Sequence, residues 1–186
     1  MHVVDDNFVN KRLVKKAQDF FFGVPAQFPW YFHESTNPIS DGVHVLDSKS
    51  TEESLLFSGS IIEDNPGYDI VHEIFSRFLI NNNERCERIL RVKANLYTQG
   101  VSANHHSPHI DLEEPHKVFL YYVDDSDGYT WLFNERFSGE RVSNLTVLDR
   151  IEPKAGRGLM FNGLNYHASS SPVYHKKRCT INIDYV

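Results

Sequence analysis

Cysteine is scarce: Cys86 and Cys179 are the only two in 186 residues. Two cannot build a disulfide framework or a cysteine zinc site. So few fit reduced thiols in a cytoplasm, where the chain is expected to work. No stretch approaches the ~20 apolar residues of a membrane-spanning helix. The opening run MHVVDDNFVNKRLVKK lacks the apolar core of a secretion signal. No run of five basic residues occurs, and 19 Lys and Arg against 25 Asp and Glu give a net charge of -6. That balance disfavours general nucleic-acid binding through phosphates and leaves only a local basic groove open. There is no internal repeat, no low-complexity tract and no signal of oligomeric state. The sequon at Asn144-Leu145-Thr146 is read as accidental. What is present is an ordinary globular composition, 40% hydrophobic and 13% aromatic, enough to pack a core. The length predicts one domain over residues 1–186.

The first half mixes helix signals with irregular chain. Asp5 or Asp6 is expected to cap a helix to about Phe20, with Phe8, Val9, Leu13 and Ala17 on its apolar side. An aromatic cluster follows at Phe28-Pro29-Trp30-Tyr31-Phe32. The stretch from residue 33 to 53 is rich in turn formers and reads as a long loop. A second helix after Pro66-Gly67 carries the stripe Ile70, Val71, Ile74, Phe75, Phe78, Leu79, and Asn81–Asn83 end it.

From Arg88 the period changes from 3.6 to 2. Leu90, Val92, Ala94 and Leu96 alternate with Arg91, Lys93, Asn95 and Tyr97. Lys117 to Val123 is a strand, and Asp124–Gly128 reads as a turn leading to a partner strand, Tyr129 to Phe133. Further strands are expected at Ser143–Ile151, Gly158–Phe161 and Arg178–Tyr185. Helices followed by many short antiparallel strands predict an α+β chain, mainly β, with a sandwich or barrel. In the last strand Arg178, Thr180, Asn182 and Asp184 alternate with Cys179, Ile181, Ile183 and Tyr185. Such a strand fits a sheet with one face in water. It also fits a barrel whose polar interior holds a charged ligand.

His109-Ile110-Asp111 is the first chemical signal. On a strand, residues i and i+2 share a face about 6.5–7 Å apart, so imidazole and carboxylate can converge on one cation. Alone, the triplet fits a solvated polar loop better than a metal site. His167 is the best third ligand, and two histidines with one carboxylate form the facial triad of non-haem Fe(II). His105, His106 and His116 compete for the role. Pro108 argues against a helix that would align His105 with His109. Of the residues set aside as non-ligands, His106 is the strongest competitor. Arg178 follows His167 by 11 residues and opens a strand on its polar face. It is either an edge arginine in water or a buried guanidinium that needs a partner, for which a dicarboxylate is suited.

An H-x-D, a distant His and an Arg about ten residues on resemble the 2-oxoglutarate and Fe(II)-dependent oxygenases, and the prolyl 4-hydroxylase-like branch in particular. Arg91–Tyr97, Leu120-Tyr121-Tyr122, the turn Ile151-Glu152-Pro153-Lys154 and Phe161 leading to His167 carry the likeness over about residues 88–186. The resemblance implies a double-stranded β-helix, or jelly roll, over 88–186. Residues 1–87 would form helical and irregular support on its outer face. It implies Fe(II) on His109, Asp111 and His167. Arg178 and Tyr122 would hold the distal carboxylate of 2-oxoglutarate, and Tyr97 would belong to the same pocket. The implied reaction couples O2 and 2-oxoglutarate, released as succinate and CO2, to hydroxylation of a substrate C–H. The substrate would be peptidyl-proline, a free amino acid or another small molecule. The nucleic-acid demethylase branch carries a second arginine six residues after the first, where this chain has Asp184. Two other classes stand beside this reading: a cupin-like jelly roll that binds metal without oxygenase activity, and a non-oxidative metal isomerase. The segment 135–143, with Arg136, Glu140 and Arg141, is either a substrate lid or a solvated hairpin.

Overall fold

A computed structural model of the chain describes residues 1–186 apart from 25–27, 35–42, 45–55, 64, 66 and 141. In chain order the elements are strand β1 (His2–Asp5), helix α1 (Lys11–Phe22), strands β2 (Tyr31–His33), β3 (Val43–His44) and β4 (Leu56–Ser60), and helix α2 (Tyr68–Asn81). Then come strands β5 (Ile89–Thr98), β6 (His109–Ile110), β7 (Lys117–Tyr122), β8 (Thr130–Arg136), β9 (Val147–Ile151), β10 (Gly158–Asn162), β11 (Asn165–Ser169) and β12 (Lys177–Tyr185). The described residues are thus mainly β with two helices. The strands form two antiparallel sheets, a large one ordered β1-β10-β7-β12-β5-β4-β2 and a small one ordered β3-β6-β11-β8-β9. From β5 to β8 successive strands alternate between the sheets, and β10, β11 and β12 do so again.

Alternation along the strands of the large sheet decides what each face touches. Val92, Ala94, Phe119, Tyr121, Ile181 and Ile183 pack under the two helices in the main core. On α1 the buried residues Leu13, Ala17, Phe20 and Phe21 recur at helical spacing, and on α2 they are Ile70, Val71, Ile74, Phe75 and Phe78. Gly158 on β10 makes this contact possible, because a Cβ there would lie 2.8 Å from the Phe78 ring. A second apolar layer fills the space between the sheets, where Val118, Leu120 and Tyr122 meet Leu132, Ile151 and Phe161. Inward orientation of Val118, Leu120 and Tyr122 is the one read from the sequence.

Several local readings are corrected. The cap of α1 is Asn10, whose Oδ1 accepts from Leu13 N at 2.9 Å. Asp5 instead ends β1 and accepts from the side chains of Asn81 and Asn82 at 2.7 and 2.9 Å. Residues 1–87 hold more than helices and irregular chain: β1, β2 and β4 join the large sheet and β3 the small one. Most of the loop read over 33–53 lies outside the described residues, as do Pro66 and Arg141. β7 and β8 are not a hairpin, since they belong to different sheets. The acids between them serve another purpose. Asp124 accepts from Cys179 N, and Asp127 accepts from the backbone of Val173, Tyr174 and His175. The turn residues thus tie down the chain entering β12. In the segment 135–143, Phe137 is buried, donates from its backbone to Leu164 O at 2.8 Å and packs with Phe133 and Tyr166. By strand alternation that face of the small sheet is the one turned away from His167.

Candidate metal centre

His109 and His167 stand directly opposite one another on β6 and β11. A short turn after β10 leads into β11, which carries His167. Their ring centroids are 4.7 Å apart. Asp111 follows β6 by one residue, and the i, i+2 relation keeps it beside His109. One ligand atom from each of the three residues lies within 4.8 Å of the others. His167 Nε2 is 3.4 Å from Asp111 Oδ2, and His109 Nε2 is 3.8 Å from Oδ1. Each imidazole turns its Nδ1 to a backbone carbonyl two residues upstream, Ser107 O at 3.1 Å and Asn165 O at 3.3 Å. A carbonyl only accepts, so Nδ1 carries the proton and Nε2 of the neutral ring keeps its lone pair. Two lone pairs and a carboxylate then face one another, an arrangement that calls for a cation or a proton between them. Two nitrogens and one oxygen, open on one side, suit a divalent metal such as Fe(II).

The charges respond to this crowding. Burial alone would push the Asp111 carboxyl up, but contact with His167, followed by the charges of Arg91 and His109, holds it well below the ordinary carboxylate range. Burial works against a charged His167, yet its hydrogen bond and attraction to Asp111 raise it above the usual imidazole value.

Further polar groups converge on Asp111. Asn182 Nδ2 donates to Oδ2 at 3.2 Å. Arg91 Nη2 lies 2.6 Å from Oδ1, and Arg91 Nε donates to Asp184 Oδ2 at 2.7 Å. Asp184 has no exposed surface, and burial followed by repulsion from Asp111 pushes its carboxyl up to about 7. Behind it lies His116, buried, with Nε2 4.0 Å from Asp184 Oδ1. The sequence reading set Arg91, Asn182 and Asp184 on polar strand faces without a place in the site, and weighed His116 only as a competing ligand. Their meeting depends on strand register, which places Arg91 opposite Asp184 and Lys93 opposite Asn182.

The other end of the same cleft is built around Arg178, which lies opposite Tyr97 and is 2% exposed. It is an interior arginine and not one at an edge in water. Its guanidinium lies over the Tyr97 ring at 5.0 Å, and Nη2 donates to Thr130 Oγ1 at 2.6 Å. Its Nε is buried without a hydrogen-bond partner. Among the described residues no carboxylate pairs with it. Tyr97 lines the cleft with Arg178, His109, Asp111 and His167. Tyr122 is fully buried one layer behind and donates to Thr130 Oγ1 at 2.7 Å. Thr130, which the sequence reading missed, therefore accepts twice and keeps its own proton for a third partner in the cleft.

The competing histidines are used elsewhere. His106 is buried between Ser169 and Ser171 and stacks on Tyr97 at 5.5 Å. Burial, then the charge of Arg178, lowers it to about 3, so it is neutral. His105 packs against Trp131 and Phe133. His72 is exposed on α2, as its place off the stripe implies. His2 and His33 lie on strands, and His175 is paired with Asp127. His44 is the register partner of His109 in the pairing of β3 with β6.

No protein-family model and no curated protein sequence matches the chain. Solved structures do. A Trichoplax adhaerens prolyl hydroxylase, in complex with a hypoxia inducible factor oxygen degradation domain peptide fragment, aligns at a TM-score of 0.64 and 17% identity, covering 99% of this chain and 82% of that one. An oxidoreductase of the 2OG-Fe(II) oxygenase family from Burkholderia pseudomallei aligns at 0.65 and 11%, covering 99% and 84%. The epimerase SnoN, in complex with Fe3+, alpha ketoglutarate and nogalamycin RO, aligns at 0.57 and 9%, covering 100% and 78%. In fold, then, this chain is similar to the 2-oxoglutarate and Fe(II)-dependent oxygenases, prolyl hydroxylases among them.

Proposed function

We propose that the chain is a single-domain 2-oxoglutarate and Fe(II)-dependent dioxygenase. In this reading it is a jelly roll that hydroxylates a C–H bond of a peptide or small molecule, in the manner of the prolyl hydroxylases. The observation that carries the reading is one cleft with two ends. At one end two imidazoles and a carboxylate bring ligand atoms within 4.8 Å. At the other a buried guanidinium has an unpartnered Nε. A buried cation without an acid is costly, and an anionic ligand removes that cost.

His109, Asp111 and His167 would hold Fe(II). Bound there with 2-oxoglutarate, the metal would supply O2 activation, coupling loss of CO2 to oxidation of the substrate. The protein's own groups orient and neutralise. Arg178 would grip the distal carboxylate of 2-oxoglutarate, and Thr130 would donate its free proton to the same group. Tyr122 would act on that carboxylate through Thr130, and Tyr97 would floor the guanidinium. The backbone carbonyls of Ser107 and Asn165 hold the proton of each neutral ring on Nδ1, so that Nε2 is the nitrogen offered to a metal. A reducing cytoplasm suits such a site, and both cysteines are free.

A jelly roll that binds metal without oxygenase activity, or an isomerase, would give Arg178 no reason to be buried. Anaerobic Fe(II) and 2-oxoglutarate test the choice. The oxygenase reading expects a weak visible metal-to-ligand charge-transfer band, absent in His167→Ala and Asp111→Ala. No band in the folded wild-type protein, or a full band in His167→Ala, would refute it.

A further inference from the structure

Among the described residues, Arg91 uses its guanidinium differently from two other arginines that pair with a carboxylate through Nε, Arg77 and Arg157. On the surface, Arg157 sets Nε and Nη2 on the two oxygens of Asp6, at 2.7 and 2.9 Å. On α2, Arg77 sets the same two nitrogens on Glu73. Arg91 divides the fork, with Nε on Asp184 at 2.7 Å and Nη2 on Asp111 at 2.6 Å. The first acid is buried behind the site and the second faces the cleft, which Arg91 also lines. The oxygen that Arg91 takes is Oδ1, which also lies 3.8 Å from His109 Nε2, while Oδ2 is 3.4 Å from His167 Nε2 and accepts from Asn182 Nδ2 at 3.2 Å.

We propose that Arg91 is a positioning residue of the metal centre: it occupies Oδ1 of Asp111 so that one oxygen, Oδ2, is left for a cation, while Asp184 offsets the charge that Arg91 sets beside that cation. The proposal rests on reading His109, Asp111 and His167 as a metal site. Its physics is competition. A guanidinium and a divalent ion share one carboxylate and repel each other through a poorly screened interior. Without metal, Arg91 is the counter-ion that lets two buried acids stand close together. With metal, it weakens the carboxylate as a donor and denies it a second point of attachment. A one-oxygen ligand leaves one more coordination position open for other groups.

The two ends of the network should therefore act with opposite sign. The test is anaerobic Co(II) titration followed by visible absorption, at about pH 8 so that the acids are ionised. The proteins are wild type, Asp111→Ala, Arg91→Gln, Arg91→Lys and Asp184→Asn, with circular dichroism of each metal-free protein to verify folding. Arg91→Gln should bind Co(II) more tightly, on the order of tenfold, with altered d–d bands because Oδ1 is free. Asp184→Asn should bind more weakly, by a similar factor, because the arginine's charge is no longer offset. Arg91→Lys keeps the charge but loses the divided fork, so its affinity should stay within a few-fold of wild type while its bands change. Wild-type affinity and bands in Arg91→Gln would overturn the proposal, as would shifts of the same sign in Arg91→Gln and Asp184→Asn. If Arg91→Gln does not fold, unchanged bands in Arg91→Lys together with unchanged affinity in Asp184→Asn overturn it instead. The underlying metal reading fails separately, if wild type does not take up Co(II) or if Asp111→Ala binds it as tightly as wild type.

Discussion

Along β5 and β12 the two faces of the large sheet are made by the same strands and have opposite chemistry. Toward the helices, Val92, Phe119, Cys179, Ile181 and Ile183 are buried in an apolar core. Toward the small sheet, Arg178, Thr180, Asn182 and Asp184 are just as buried, at 7% exposure or less, and are polar or charged. One face lowers the free energy by removing apolar surface from water, at about 25 cal/mol per Å². The other raises it unless each charge finds a partner. A single step along a strand separates stability from chemistry, and a one-residue slip in register would exchange them. The outer core is what allows the inner face to hold groups that do not favour folding.

This division can be broken experimentally. The largest effect is expected on the outer face. Phe119→Ala removes a ring that meets Phe8, Phe75 and Phe78. It should cost about 3–5 kcal/mol in urea unfolding, with metal and 2-oxoglutarate affinity retained by the folded fraction. A large loss of affinity with unchanged stability would show that the faces are not separable. On the inner face the expectation reverses. Arg178→Ala should leave unfolding nearly unchanged but weaken 2-oxoglutarate binding by about 10–100-fold, as for a lost charge-assisted contact of ~1.5–3 kcal/mol. Arg178→Lys should recover only part, because an ammonium lacks the planar grip. Titration of the anaerobic Fe(II) protein, followed by the charge-transfer band, measures both, and an unaltered affinity in Arg178→Ala would remove the cosubstrate from this end of the cleft.

An effect that is absent near neutral pH concerns His106, which sharpens the contrast between buried polar and buried ionised groups. Its folded value lies near 3 against an ordinary 6.5, with burial as the largest cause. The unfolded chain therefore takes up this proton first as pH falls. The stabilisation is complete above about 6.5 and is lost progressively toward 3, with a slope of at most ~1.4 kcal/mol per pH unit. His106→Gln should flatten the fall in thermal midpoint between about pH 6 and pH 4. Equal slopes in variant and wild type would mean that this imidazole already carries its proton in the folded state.

Much of this contrast is legible in the sequence, because it resides in local alternation. The period of two in 90–97 and 178–185 separates the faces, and the stripe on α2 is a plain 3.6-residue pattern. His109, Asp111 and His167 are legible through an i, i+2 triplet and a distant third residue. Arg91 was not, because its role depends on which residue of β12 lies opposite it. β1 and β4 escaped notice for the same reason: short strands are defined by partners far along the chain, β10 and β5. The hairpin expected over 117–133 failed on turn chemistry. Asp124 and Asp127 look like residues that close a tight turn, yet their carboxylates cap amides about fifty residues away. Asp5 misled in the same manner, as a helix cap by sequence and a tether for Asn81 and Asn82 in space.

The cleft is shared between layers: its two histidines hang from the small sheet, while Arg91, Arg178 and Asn182 reach in from the large one. The small sheet grips His109 with little backbone, since β6 has two residues and its neighbour β3 has two, while His167 sits within the five residues of β11. A ligand that engaged both ends would act as a rivet through the two layers. Empty, the protein would come apart in sequence, the small sheet peeling from a large one that its helices still clamp. Riveted, the layers would have to fail together, so occupancy would govern the order of disassembly as well as how much force or heat it takes.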